Sequence, residues 1–201
     1  MNLLISKLIK EAYQFGMSQH EFEIESFLQL IQNKEINNVL EIGSKLGGTL
    51  YLWRRLAKGI VASIDLPGGK YGGWIMNDHP YLGNCLKKRN SFFKKFQVNM
   101  ISGNSTDIKI IKKTNTLFKD KTIDLLFLDG DHTYDGIKAD YENYKHLMSK
   151  NGIIAFHDIV DSEHHKYLNV GVNKFWNELE GNKTEIIENS IWGYGIGVLQ
   201  L

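Results

Sequence analysis

In the segment TIDLLFLDGDHTYDGIKADY, residues 122–141, an apolar run ends in Asp129, Asp131, His132 and Asp135. A second apolar run, GIIAFHD at 152–158, ends in His157 and Asp158. Carboxylates and imidazoles move protons and ligate metal ions, so both runs deliver reactive groups to a strand end. An unperturbed imidazole titrates near pH ~6.5, which makes neutral His132 a proton acceptor at neutral pH. If Asp129 and Asp158 end neighbouring strands, their carboxylates repel unless a proton or a cation sits between them. Oxygen ligands without cysteine favour magnesium, and manganese or calcium less specifically. Plainer roles compete. Asp129 could cap a helix starting near Tyr134, and His132 could only bond within its loop. Asp131 and Asp135 could solvate that loop and complement the helix N-terminus, while Asp140 reads as structural.

The elements that must position these groups follow from hydrophobic periodicity. Helical patterns cover 2–15 and 21–33 and read as a cap, residues 1–35, on a core of 36–201 within a single domain. Strand and helix patterns then alternate: NVLEIG strand, GGTLYLWRRLAKG helix, IVASID strand, a glycine-rich loop at 67–73 and a helix through about 80–95. QVNMISG strand, a helix at 106–119, TIDLLFLDG strand, a helix at 134–149 and GIIAFHD strand complete the alternation. Short, continuously apolar strands joined by helices predict an α/β fold, a doubly wound Rossmann-like sheet, mostly parallel and covered on both faces. In the tail, VGVNKFWNELE is a helix, and KTEIIE and GYGIGVLQL are spaced to pair antiparallel.

Ligands of such sheets bind beyond the carboxyl ends of the strands, and every predicted strand end here is polar: Glu41 and Gly43, Asp65, Asn104 and Ser105, Asp129, His157 and Asp158. The first turn, EIGSKLGGT, misses the dinucleotide fingerprint because Lys45 stands where a second glycine must admit a pyrophosphate. Glu41 and Asp65 would also repel a pyrophosphate. S-adenosylmethionine, with an ammonium, a sulfonium and ribose hydroxyls but no phosphate, suits these carboxylates better. Gly43, Gly47 and Gly48 would let its methionine portion lie against the backbone, Asp65 would accept from the ribose hydroxyls, and Asn104 and Ser105 would border the adenine. The plain alternative is a tight turn and nothing more.

VLEIGSKLGGT, SIDLPGG, FLDGDHTYDGIKADY, GIIAFHDI and GVNKFW occur in the order found in class I S-adenosylmethionine-dependent methyltransferases. Over roughly residues 36–201 the chain resembles the small-molecule O-methyltransferase branch that includes macrocin-type sugar methyltransferases and cephalosporin-hydroxylase-like proteins. The resemblance implies a seven-stranded sheet with an antiparallel last strand, His132 as the base that deprotonates an acceptor hydroxyl, and a sugar or glycosylated acceptor. The family often carries an acidic residue where His157 stands. His157 is therefore either a third metal ligand beside Asp129 and Asp158, favouring manganese or iron over magnesium, or points elsewhere.

Bulk properties narrow the classes. Among 201 residues, 24 Lys and Arg nearly balance 23 Asp and Glu, giving a net charge of +1 and no field for nucleic acid or an anionic membrane. The basic and aromatic stretch KKRNSFFKK then reads as a solvated helix face. The lone Cys85 offers neither a disulfide nor thiolate ligand spacing, which fits a cytoplasmic location. The N-terminal MNLLISKLIKEAYQF reads as an amphipathic helix rather than a targeting segment. Tyr71 and Trp74, among flanking glycines, could border an acceptor. His164 and His165 read as loop residues, His20, His79 and His146 as surface or boundary, and Trp53, Trp176 and Trp192 as core. The expected partner is a small hydroxylated molecule, with a homo-oligomer left open. Competing readings are a metal-independent methyltransferase of another small acceptor and a cofactor-binding subunit without catalysis.

Overall fold

The computed structural model describes residues 3–66, 89–188 and 194–201. The glycine-rich loop with Tyr71 and Trp74, together with His79, Cys85 and Trp192, lies outside the described residues.

Seven strands form one sheet: β1 (Val39–Ile42), β2 (Val61–Asp65), β3 (Val98–Ser102), β4 (Ile123–Leu128), β5 (Met148–His157), β6 (Asn182–Ile186) and β7 (Ile196–Gln200). Their order is β3-β2-β1-β4-β5-β7-β6. The first five pair parallel, and β7 runs antiparallel to both β5 and β6. This is the expected mixed sheet, and it makes β4 and β5 neighbours, with Leu128 opposite Phe156. Asp129 and Asp158 therefore leave the sheet side by side.

Alternating strand residues feed two cores, because successive side chains point to opposite faces. Leu125 and Phe127 join Phe27 and Trp53 on one face, under α1 (Leu3–Gln14), α2 (Glu21–Ile31) and α3 (Gly48–Leu56). Leu126 and Leu128 join Tyr144, Phe156 and Trp176 on the other, under α5 (Ile108–Leu117), α6 (Tyr134–Tyr144) and α8 (Val172–Glu178). Trp53 and Trp176 are core, as expected.

Three expectations are corrected. The helix expected at 134–149 stops at Tyr144, followed by a 3-10 turn at Lys145–Leu147. Met148 already pairs with Ile123, so sheet pairing overrides the helical pattern there. His164 and His165 lie in a short helix, α7 (Glu163–Tyr167), capped by Ser162, and His165 is buried. Residues 89–95 are helical (α4), but Arg89 and Phe93 point inward rather than forming a wholly solvated face.

Candidate active site

The carboxyl ends of β4 and β5 bring Asp129, His132, His157 and Asp158 together, with one donor atom from each lying within 4.8 Å of all the others. His157 Nδ1 sits 3.1 Å from Asp129 Oδ1 and 3.2 Å from Asp158 Oδ1. Neither contact has hydrogen-bond geometry, so both buried nitrogens of this ring and the buried Asp158 Oδ1 lack a hydrogen-bond partner. His132 Nδ1 bonds Asp158 Oδ2, and its Nε2 stands 3.6 Å from Asp129 Oδ1. Asp158 has φ +67°, a left-handed conformation that is costly for a non-glycine residue and is held by Asp158 N donating to Gly195 O at 3.0 Å.

Charge explains the titration behaviour. Burial pulls the His157 pKa down, but the charges of Asp158 and Asp129 outweigh it and hold it well above the usual imidazole value. His132 is likewise raised: burial opposes protonation, and the Asp158 bond with the nearby carboxylates prevails. For Asp158, burial raises the pKa, yet His157 and His132 bring it far below the ordinary carboxylate range. The His157 ring thus stands where a cation between the two carboxylates would compete with its protonation.

The loop after β4 is not capped by Asp129. Thr133 is the N-cap of α6, its hydroxyl accepting from Gly136 N at 3.1 Å, while Asp131 accepts from Thr133 N at 3.0 Å. These bonds fix the turn that carries His132 and leave Asp129 to the cluster.

Asp65 ends β2 and carries an ion pair with Arg89, whose guanidinium also donates to Lys45 O. Burial raises the Asp65 pKa, with Arg89 opposing incompletely. Ser44, in the first turn, lies 3.5 Å from Asp65 and shares a 2.6 Å hydroxyl contact with Ser63. Glu41 is fully buried beneath the turn, takes a bond from Thr49 Oγ1 and has its pKa pushed well above the carboxylate range by burial. It reaches the ligand side only through the turn that it supports.

The glycines of that turn are also required by the chain itself. Gly43 has φ +81°, and a Cβ there would strike the Asp129 carbonyl oxygen. A Cβ on Gly47 would meet Phe93, and one on Gly48 the backbone of Met17. At all three positions the chain itself makes a close approach. Beyond β3, Asn104 Oδ1 accepts from Thr106 N at 2.9 Å, and the Ser105 carbonyl accepts from Tyr144 OH at 2.6 Å.

Sequence patterns missed several neighbours. Gln19 Nε2 donates to Asp129 Oδ2 at 2.7 Å. Tyr194 packs its ring on His157 and His165, at centroid distances of 5.6 and 5.7 Å. His165 Nδ1 donates to Val160 O at 2.6 Å and turns Nε2 toward Asp158. Ser44, Arg89, His165 and Tyr194 lay in stretches already singled out, but for other roles, and Gln19 lay in none.

A family model for a methyltransferase domain matches residues 40–159, from β1 to just past β5. The uncharacterized protein R132 of Acanthamoeba polyphaga mimivirus is 30% identical over 181 residues, covering 89% of this chain and 76% of that protein. The uncharacterized protein y4gI of Sinorhizobium fredii is 33% identical over 95 residues, 45% of this chain but only 10% of that much longer protein. Among solved structures, the O-methyltransferase from Bacillus cereus in complex with SAH superposes with a TM-score of 0.60 at 17% identity, covering 100% of this chain and 91% of its own. The MycE methyltransferase of the mycinamycin pathway, in complex with Mg and SAH, superposes with a TM-score of 0.59 at 14% identity, covering 98% of this chain and 54% of its own. The match over both strand ends of the cluster and the first turn, on this sheet order, means that the chain belongs to the methyltransferase domain family of class I S-adenosylmethionine-dependent enzymes.

Proposed function

We propose that this protein transfers the methyl group of S-adenosylmethionine to a hydroxyl of a small molecule, a sugar or glycosylated metabolite, with a divalent cation held by Asp129, His157 and Asp158. The observation that carries the reading is His132 tied through Nδ1 to Asp158 beside that ligand set. The bond places the hydrogen on Nδ1, since a carboxylate accepts, and leaves Nε2 as the nitrogen able to take a proton from an acceptor hydroxyl. The base role of His132 also rests on the family resemblance, as does the sugar.

The donors suit a cation. Ligands on opposite sides of an ion at ~2.1–2.4 Å stand about 4.2–4.8 Å apart, and the donors of Asp129, His157 and Asp158 fall within that span. The unpartnered His157 nitrogens and Asp158 Oδ1 are the atoms such an ion would satisfy. A bound cation would lower the pKa of a hydroxyl presented to it. The imidazole at 157 favours manganese or iron, although the Mg in the MycE complex keeps magnesium in the set.

For the cofactor, the side chain of Asp65 remains 19% open, enough for a ribose hydroxyl to share it with Arg89. Gly43, Gly47 and Gly48 shape the turn, Glu41 supports it from below through Thr49, and Asn104 and Ser105, which follow the strand whose Ser102 pairs with Asp65, would border the adenine. Asp129 would border both cofactor and cation. The net charge of +1 argues against a nucleic-acid acceptor, and no helix among the described residues is long and apolar enough to cross a membrane. The single cysteine supports a cytoplasmic setting.

A metal-independent transferase is favoured by one observation: the His157 ring stands between the two carboxylates, 3.1 Å from Asp129 Oδ1 and 3.2 Å from Asp158 Oδ1, where its protonated form would offset part of their charge. The test is methyl transfer from labelled cofactor to a panel of sugars, glycosides and catechols, with and without EDTA, after mass spectrometry of co-purified ligands. Cofactor binding without turnover on any acceptor would point instead to a non-catalytic subunit. Absence of cofactor binding would sink the proposal.

A further inference from the structure

The cap formed by α1 and α2 enters the cluster it covers. Gln19, in the linker between the two helices, is 5% exposed, donates to Asp129 Oδ2 at 2.7 Å and keeps a buried Oε1 without a hydrogen-bond partner. The two oxygens of Asp129 thus have different company. Oδ2 takes the amide, while Oδ1 faces His157 Nδ1 and His132 Nε2.

The linker is itself fastened. Tyr13 OH donates to Gln19 O at 2.9 Å, and Gly48 leaves the room that the Met17 backbone fills. His20 pairs with Glu188 at 2.7 Å, and Glu23 Oε1 accepts from Glu188 N and Gly195 N at 3.1 and 3.0 Å. Gln19 serves no helix end, because α2 has His20 at its N-cap and no side-chain cap bond. A buried amide on one oxygen of a carboxylate selects one orientation of that carboxylate, as outer partners of metal ligands do.

We propose that Gln19 is a positioning residue for the cation site, its amide holding Asp129 so that Oδ1 alone is presented to the ion. The N-terminal cap is then part of the active site. This inference rests on reading Asp129, His157 and Asp158 as cation ligands.

The test uses the full chain, stripped with chelator and titrated with Mn²⁺ by calorimetry and by the electron paramagnetic resonance of free Mn²⁺. Wild type is compared with Gln19→Met, which keeps side-chain length without the amide, and with Tyr13→Phe, which loosens the same linker and leaves the amide. Gln19→Ala replaces Gln19→Met should the latter not fold. Removing Gln19 is expected to weaken Mn²⁺ binding about ten- to a hundredfold, a larger loss than that in S-adenosylmethionine affinity, and Tyr13→Phe should bind Mn²⁺ as wild type does. Wild-type Mn²⁺ affinity in the Gln19 variants would overturn the assignment, and so would an equal loss in Tyr13→Phe, since cap anchoring would then explain the effect. A wild-type protein that binds S-adenosylmethionine but no Mn²⁺ removes the cation site and this role together and leaves the methyltransferase reading. One that binds neither removes both readings.

Discussion

The imidazole of His132 is held by Asp158 through Nδ1, although the two side chains come from loops after different strands. Parallel pairing of β4 with β5 makes the contact possible, and the left-handed backbone at Asp158 aims its carboxylate. Replacement of His132 by Ala is expected to slow methyl transfer by about 10² to 10⁴, the usual contribution of a positioned base, with cofactor affinity unchanged. Its pKa is raised, so the neutral base is lost as pH falls through a value above the ordinary one for histidine. The wild-type rate should therefore decline on an acid limb displaced upward, and the variant should lack that limb. A bound cation repels the proton and should move the limb back down. An identical pH profile in His132→Ala would remove His132 as the base.

Chelation gives a separate test of the ligand set. EDTA should lower turnover and added Mg²⁺ or Mn²⁺ should restore it, whereas Asp129→Ala and Asp158→Ala should each lose the restoration. These two replacements differ structurally. Asp158 compensates two imidazoles, so its removal should also lower the thermal midpoint, while Asp129 has the Gln19 amide and His157 as its main contacts. Full turnover in EDTA would establish the metal-independent alternative.

The sheet was legible because VLEI, VASI and DLLFL are short, largely apolar runs that alternate with helical patterns, as a parallel sheet covered on both faces requires. The pairing of Asp129 with Asp158 followed from strand adjacency. Gln19 was not legible: it reaches Asp129 across 110 positions, and a lone glutamine between two helices carries no pattern. Arg89 was misread because a basic, aromatic stretch looks solvated until tertiary packing buries one guanidinium against Asp65. Glycine in the first turn was legible as a conformational need. What fills the space beside it, Met17 and Phe93, belongs to elements distant in sequence.

For Asp65→Asn, the expectation is a cofactor affinity weakened roughly ten- to a hundredfold, the loss of a charge-assisted hydrogen bond. Calorimetric titration measures it. Arg89 supplies an internal control, because Asp65→Asn also strips the partner of a buried guanidinium and should lower the thermal midpoint. Lower stability with an unchanged cofactor dissociation constant would assign Asp65 to the ion pair alone.

Asp140, buried on α6, offers a prediction about stability rather than chemistry. Burial pushes its carboxyl up to about 7, with the Ser105 hydroxyl opposing only partly and the Asp131 charge adding to the rise. The folded state therefore holds a proton that the unfolded chain, with the carboxyl near its ordinary value of 3.8, has released. Where the folded state binds more protons, stability falls as pH rises. The contribution of Asp140 is fully present below pH ~4 and is lost as pH rises through the folded value, up to about 4 kcal/mol for a displacement of this size. Asp140→Asn keeps the shape and stays neutral at every pH. Its stability relative to wild type should thus increase between pH ~4 and ~7 and level off above, while the titrations of Asp158 and the imidazoles cancel between the two proteins. Urea unfolding across that range measures the difference. A constant difference between the two proteins would show that Asp140 is ionised in the folded chain, and that water or a hydrogen-bond donor compensates it at the Ser105 side of α6.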